Sequence, residues 1–196
     1  RVVILHEDTG NKSYAGDEEA TWTVGLTTEI PLHLSYTMNA GTSALDLESL
    51  KLDYFSLTMS AGGFNATLPP SDDGYDVDID MSSGTGTLIL PADFSTQMTV
   101  STSSGTFQVV VGENTSGTVA VDMSSGEVTF TVPENIGLRV EMGDVATGTI
   151  NVPETLDLVA GNEDANAVWE SPDYEESDYQ MVFSVSISAG SFTIQH

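Results

Sequence analysis

Cysteine is absent from this chain of 196 residues, and basic residues are scarce. Without cysteine there can be no disulfide framework and no thiolate chemistry. Thirty Asp and Glu residues face only four Lys and Arg, which gives a formal net charge of −26. Proteins bind nucleic acids by neutralising phosphates with Lys and Arg, so the composition excludes a nucleic-acid partner. The same shortage argues against direct binding of this domain to anionic lipid.

Long hydrophobic runs are also missing. The apolar run at the start, residues 2–5, is too short for a signal peptide, and no run approaches the roughly 18 apolar residues of a membrane span. The chain begins with Arg1 rather than Met, so we expect it to be an excised part of a longer protein. Because self-repulsion stresses such an acidic chain unless ions screen it, we expect a saline or calcium-containing exterior.

Glycines recur with a nearly constant period along the chain. The series is Gly41, Gly62, Gly84, Gly105 and Gly126, with spacings of 21, 22, 21 and 21 residues. A further glycine, Gly190, follows 64 residues after Gly126. Methionines follow the same period at Met38, Met59, Met81, Met123 and Met142. Such a regular period indicates an internal structural repeat.

Each repeat reads as a strand, a Ser/Ala/Gly turn and a second strand. Val77, Ile79 and Met81 share one face, and aspartates occupy the alternate positions, as a half-buried strand requires. One repeat buries little alone, so its apolar face is expected to meet the next copy. The pattern predicts an all-β, single-stranded β-helix-like solenoid of about seven rungs of ~21 residues with very little helix. The alternative is a meander of antiparallel hairpins, each folded at its SSG or SAG turn.

Two regions break the period. Residues 1–20 are expected to form a polar lead-in or tether, which leaves residues 21–196 as one solenoid domain. Residues 157–180 carry acids and aromatics where another rung is due. We interpret this second region as an irregular acidic insertion or a capping loop at the end of the stack.

The run IPLHLSYTMNAGTSALDLESLKLDYFSLTMSAGGFNATLP at 30–69 resembles bacterial and archaeal toast-rack domains. The closing segment SPDYEESDYQMVFSVSISAGSFTI at 171–194 is similar to the end of these domains, of related adhesin-like domains and of the C-terminal domains of cell-wall-active-antibiotic response proteins. The resemblance implies a β-helix-like stack at the cell surface, attached to a membrane anchor in the full-length protein. It implies no catalytic residues.

An acidic segment, SDDGYDVDID at 71–80, offers a candidate metal site. Calcium takes six to eight oxygen ligands, and clustered carboxylates beside a glycine turn could supply several. The candidate ligands are Asp72, Asp73, Asp76, Asp78 and Asp80. The competing interpretation is a solvated strand face whose charges discourage edge-to-edge aggregation.

Three aromatic residues lie in the segment that interrupts the repeat: Trp169, Tyr174 and Tyr179. Exposed aromatics among polar neighbours could bind a glycan or a protein partner. Alternatively, they pack over the open end of the stack as a cap.

The residues give little support to catalysis. The histidines His6, His33 and His196 are far apart, and no nucleophile-elbow signature lies near them. We therefore expect no enzyme activity and no cofactor other than calcium, in a structural, adhesive or sensing module outside the cell. A calcium- or carbohydrate-binding domain is the alternative, and a glycan-cleaving β-helix enzyme comes third. The sequence leaves the ligand, the partner and the oligomeric state open.

Overall fold

The computed structural model describes residues 2–5, 24–162 and 165–196. Within these residues the chain is almost entirely β structure, with one short 3-10 helix, Tyr174–Glu176. The strands are β1 (Val2–Leu5), β2 (Leu32–Met38), β3 (Thr42–Asp46), β4 (Leu52–Met59), β5 (Gly63–Thr67), β6 (Asp76–Met81), β7 (Thr85–Ile89), β8 (Ser95–Thr102), β9 (Thr106–Val110), β10 (Ser116–Met123), β11 (Glu127–Thr131), β12 (Gly137–Val145), β13 (Thr149–Asn151), β14 (Asp157–Asn162), β15 (Ala165–Glu170), β16 (Gln180–Ile187) and β17 (Ser191–Gln195).

The strands form two sheets whose inward faces share one hydrophobic core. Among the described residues, the first sheet has ten strands in the order β1-β2-β4-β6-β8-β10-β16-β12-β15-β14, and the second has seven in the order β13-β17-β11-β9-β7-β5-β3. Successive strands of each sheet, from β2 to β11, pair in parallel. The antiparallel meander is therefore wrong, and the chain has a β-helix-like, solenoid-like architecture.

Strand alternation places the apolar residues in the core. Val77, Ile79 and Met81 are at most 2% exposed, whereas Asp76 and Asp80 on the other face of the strand are exposed to solvent. The methionine column predicted from the sequence is confirmed over its first part, because Met38, Met59 and Met81 lie in register on neighbouring strands. Stacked aliphatic and thioether side chains thus form a continuous interior, in which dispersion and water exclusion stabilise the stack.

The turn glycines stack at one corner of the solenoid. Gly84 has a φ of +105°, a conformation that other residues rarely adopt, and a β-carbon there would lie 2.2 Å from the carbonyl oxygen of Gly62. The coils can approach this closely only without a side chain, and the approach lets Thr85 N–H donate to the Gly62 oxygen at 3.0 Å. The glycine period in the sequence therefore reflects the contact between coils.

The stack does not follow the order of the sequence throughout. Each copy was expected to lie on the next, but β16 sits between β10 and β12, and β17 sits between β11 and β13. A β-carbon at Gly190 would lie 2.3 Å from the oxygen of Gly126, so the last glycine continues the column directly. The copy at 139–153 is displaced by one position, and the C-terminal coil fills the gap.

Burial gives a physical reason for this order. The inward residues of β16 and β17 are almost fully buried: Met181, Phe183, Val185, Ile187, Phe192 and Ile194. By contrast, β12 has a register irregularity between Met142 and Val145, and Ile150 of β13 is only partly buried. The coil with the larger apolar face gains more from an interior position, because more apolar surface is removed from water there. An irregular coil is better tolerated at an end of the stack.

The ten-stranded sheet ends in a reversal of strand direction. β15 pairs antiparallel with both β12 and β14, and every residue of β14 is exposed. This hairpin and the 3-10 helix occupy the segment 157–180 that broke the sequence period. At the other end, β1 pairs in parallel with β2, and residues 6–20 of the predicted lead-in lie outside the described residues.

Candidate functional site

The five candidate calcium ligands occupy a turn and one strand face. Asp72 and Asp73 lie in the exposed turn before β6, and Asp76, Asp78 and Asp80 point outward from β6. Alternate residues of a strand are about 7 Å apart, so these three carboxylates form a row and not a cage. The neighbouring positions on β4 and β8 are hydroxyl residues: Tyr54, Ser56, Thr58, Thr99 and Ser101.

Asp78 has a partner within this face. The hydroxyl of Tyr54 donates a hydrogen bond to Asp78 Oδ2 at 2.5 Å. The pKa of Tyr54 is raised above its ordinary value, mainly by this hydrogen bond and to a smaller extent by burial and by the negative charge of Asp78. The contact holds the middle carboxylate of the row against the sheet.

Within the described ranges, no group of three or more His, Asp or Glu side chains is arranged to hold a metal ion. Asp73 and Asp76 instead line a shallow open groove of about 520 Å³, together with Asp53. The calcium site stays a prediction from the sequence.

The three candidate aromatic residues are placed differently from one another. Trp169 lies on β15, is 9% exposed and belongs to the hydrophobic core. Tyr179 is partly buried and packs against the same core, and Tyr174 is partly buried in the 3-10 helix. These positions favour the capping interpretation, because a ligand could reach only parts of the two tyrosines.

A charged cluster fixes the hairpin at this end. Arg139 donates from Nε to Glu141 at 2.7 Å and from Nη1 to Glu170 on the neighbouring strand. Burial raises the pKa of Tyr174, and nearby Arg139 offsets part of that rise. The ion pair between Arg139 and Glu170 joins β12 to β15, and this contact is structural.

His33 lies beside an acidic and an aromatic side chain. Its Nε2 lies 3.2 Å from Asp53 Oδ2, and its ring lies beside Tyr54 at 5.8 Å between centroids. Both members of the pair are about half exposed to solvent. Of the other histidines, His196 contacts the backbone oxygen of Val132 at 3.0 Å, and His6 lies outside the described residues.

A second surface was missed in the sequence analysis. The outward positions of the seven-stranded sheet carry mainly threonines and amides, because the second strand of each repeat alternates core residues with Thr, Asn or Gln. The signal was present in segments such as TGTLI and EVTFT.

Comparison with known proteins supports one family. The family model for the N-terminal domain of toast_rack, DUF2154, matches residues 1–91. No curated protein and no solved structure matches the chain. In the part of the chain that the structure describes, no helix has the length and apolar character to cross a membrane.

Proposed function

We propose that this chain, which carries a domain of the toast-rack family, is a non-enzymatic module of the cell envelope or the extracellular surface with a structural, adhesive or sensing role. The observation that carries the proposal is the form of its surface. Both sheets present rows of Ser, Thr, Asn and Asp that repeat from coil to coil, as at Ser56, Asp78 and Thr99. A repeating flat surface suits extended contact with a large partner better than chemistry on a small substrate.

The finer architecture supports the same role. If each strand of the seven-stranded sheet among the described residues marks one coil, about seven coils would stack at about 4.8 Å over roughly 30 Å. The antiparallel hairpin β14–β15 lies at one end of the ten-stranded sheet, where it replaces a parallel edge. A reversed strand at this edge does not offer the parallel register that a further coil would need, which disfavours head-to-tail growth and keeps the module a discrete unit.

The charge supports a location outside the cell. With a net charge of −26, coils that stack their acidic faces repel one another unless ions screen them. The full-length protein would hold this module at the surface through a membrane anchor.

The proposal is tested on the full-length protein in its own cells. An epitope tag at the C-terminal end of this module should fractionate with the envelope or the medium, and protease added to intact cells should remove it. A cytoplasmic protein of known abundance serves as the control for lysis. A tag that stays protected until the cells are broken would contradict the proposal, and so would release of product from a panel of glycans by the purified module.

A further inference from the structure

The outward face of the seven-stranded sheet, here named the threonine face, consists of the solvent-facing residues of β3, β5, β7, β9, β11, β17 and β13. Nine threonines dominate it: Thr42, Thr67, Thr85, Thr87, Thr106, Thr129, Thr131, Thr149 and Thr193. The side chains form rows that run across the strands, along the axis of the stack. The central row reads Ala44, Asn65, Thr87, Gln108, Thr129, Thr193 and Asn151.

This face is almost uncharged although the chain is strongly acidic. Among the described strands of this sheet, the acidic residues at outward positions are Asp46, at the end strand, and Glu127. The described strands of the ten-stranded sheet carry more acidic residues: Asp53, Asp76, Asp78, Asp80, Asp122, Glu141, Asp144, Asp157 and Glu170. A chain with a net charge of −26 therefore keeps one broad face nearly neutral, which favours a neutral partner.

The central row retains free hydrogen-bonding capacity. At its far end, Asn151 donates to Ser191 and Thr193, at 3.1 and 3.2 Å. The amides of Asn65 and Gln108 are exposed and make no hydrogen bond to any other described residue. Each offers two donors and an acceptor to a ligand.

An apolar pair adjoins the amides. Ile89 and Val110 are paired on adjacent strands of the same face, and each is 41% exposed. Aliphatic surface beside amides and hydroxyls suits a partner with both C–H faces and hydroxyl groups. The pyranose rings of a polysaccharide have this character.

The size of the face and the charge of the chain argue against a second copy as its occupant. Seven strands at about 4.8 Å, and rows about 7 Å apart, give a face of roughly 30 by 15 Å. Two copies meeting through it would cover about 900 Å² of projected area in total, which corresponds to an interface near the lower end of the stable range. Their net charges of −26 would also repel.

We propose that the threonine face binds a neutral polysaccharide that lies flat along the rows. In the central row every coil after the first, which carries Ala44, offers a hydroxyl or an amide, at a spacing of about 4.8 Å that is comparable to the advance of one sugar ring in an extended glycan. Single contacts of this kind are weak, and binding accumulates over many coils. The site is distinct from the aromatic segment at 169–179. The inference deepens the proposed surface function and rests on it.

The test is co-sedimentation of the purified chain with particulate cellulose and with particulate chitin, in about 1 M NaCl to screen the net charge. Gln108→Ala removes a free amide from the central row, and Gln97→Ala is its matched control. Gln97 is also exposed at mid-sheet without a hydrogen bond to the described residues, but it lies on the ten-stranded sheet. We expect the chain to bind at least one particle, about three- to tenfold more weakly in Gln108→Ala and unchanged in Gln97→Ala.

Three results would overturn the inference: no binding to either particle, equal loss in both variants, or a dimer in sedimentation velocity that Gln108→Ala dissolves. A melting temperature equal to that of the unaltered chain shows that each variant is folded. The proposed function is tested separately, because a surface protein that binds neither particle would refute the inference and leave the location intact.

Discussion

Replacing Gly84 with alanine tests the close approach of the coils. A β-carbon at Gly84 would lie 2.2 Å from the Gly62 carbonyl oxygen, far inside van der Waals contact. The backbone conformation at φ +105° alone costs a non-glycine residue about 1–3 kcal/mol. Separating the coils would also break the hydrogen bond from Thr85 N–H to Gly62, which adds about 1–3 kcal/mol for the unpaired groups.

Gly41→Ala is the matched control for this experiment. Gly41 has nearly the same φ, +108°, but no described atom lies within 4 Å of a β-carbon there. We expect Gly84→Ala to lower the free energy of unfolding by roughly 4 kcal/mol and Gly41→Ala by about half as much. The difference corresponds to a further drop of about 4–8 °C in melting temperature for a domain of this size.

The assay is thermal and urea unfolding followed by circular dichroism, in about 1 M NaCl so that charge repulsion is screened equally in all variants. Equal destabilisation by the two substitutions would refute the reasoning, because the glycines would then serve only their own turns. A stable Gly84→Ala variant would refute it more strongly.

Three further predictions concern the core, the buried tyrosine and the end of the stack. Phe183→Ala should lower the free energy of unfolding by about 3–5 kcal/mol, because Phe183 is fully buried against two phenylalanines of the other sheet. Urea unfolding measures this loss. A loss below about 1 kcal/mol would contradict the interior position of β16. Burial raises the pKa of Tyr75 above 10.0, so its contribution to stability is complete below about pH 10 and declines at higher pH. Tyr75→Phe loses the hydrogen bond to the Pro69 oxygen, which costs about 1 kcal/mol at neutral pH. Between about pH 9 and 12, however, the free energy of unfolding should fall less in this variant than in the unaltered chain. The same alkaline loss in both proteins would count against the burial of Tyr75. In a Trp22→Phe background, Trp169 should emit at short wavelength and resist acrylamide quenching, whereas strong quenching would place its ring in solvent.

Local periodicity predicted the fold class well for a physical reason. Burial of one strand face imposes a period of two, and the contact between coils imposes glycine at a fixed spacing. Both constraints restrict the residue type at single positions, such as Met81 and Gly84, so they can be read directly from the sequence. The family match to residues 1–91 confirms the resemblance that the run at 30–69 suggested.

The order of the coils could not be predicted in the same way. Copies of one repeat have similar apolar faces, so nothing local forbids β12 from pairing with β10. The choice depends on which coil fills an interior position better, and Phe183 and Phe192 decide it by packing around Phe130 of β11. Such a comparison between distant segments is a property of the whole core.

The candidate sites, too, could be predicted only in part from the sequence. The sequence showed which residues carry charge or rings, but exposure depends on tertiary position: Trp169 is in the core, and Asp78 is held by Tyr54. The threonine face was hidden because its residues are individually ordinary. It can be recognised as a surface only when stacking places Asn65, Thr87 and Gln108 in one row.

Introduced cysteine pairs give the most direct test of the stacked arrangement, since the chain has no cysteine of its own. Ala120 on β10 is paired with Ser184 on β16, and Ser184 is paired with Glu141 on β12. Neighbouring strands are about 4.8 Å apart, within disulfide range, and strands two positions apart are beyond the roughly 7 Å limit. Mild oxidation should therefore cross-link Ala120→Cys with Ser184→Cys and leave Ala120→Cys with Glu141→Cys reduced. Cross-linking of the second pair instead of the first would show that the coils follow sequence order and that the C-terminal coil lies elsewhere.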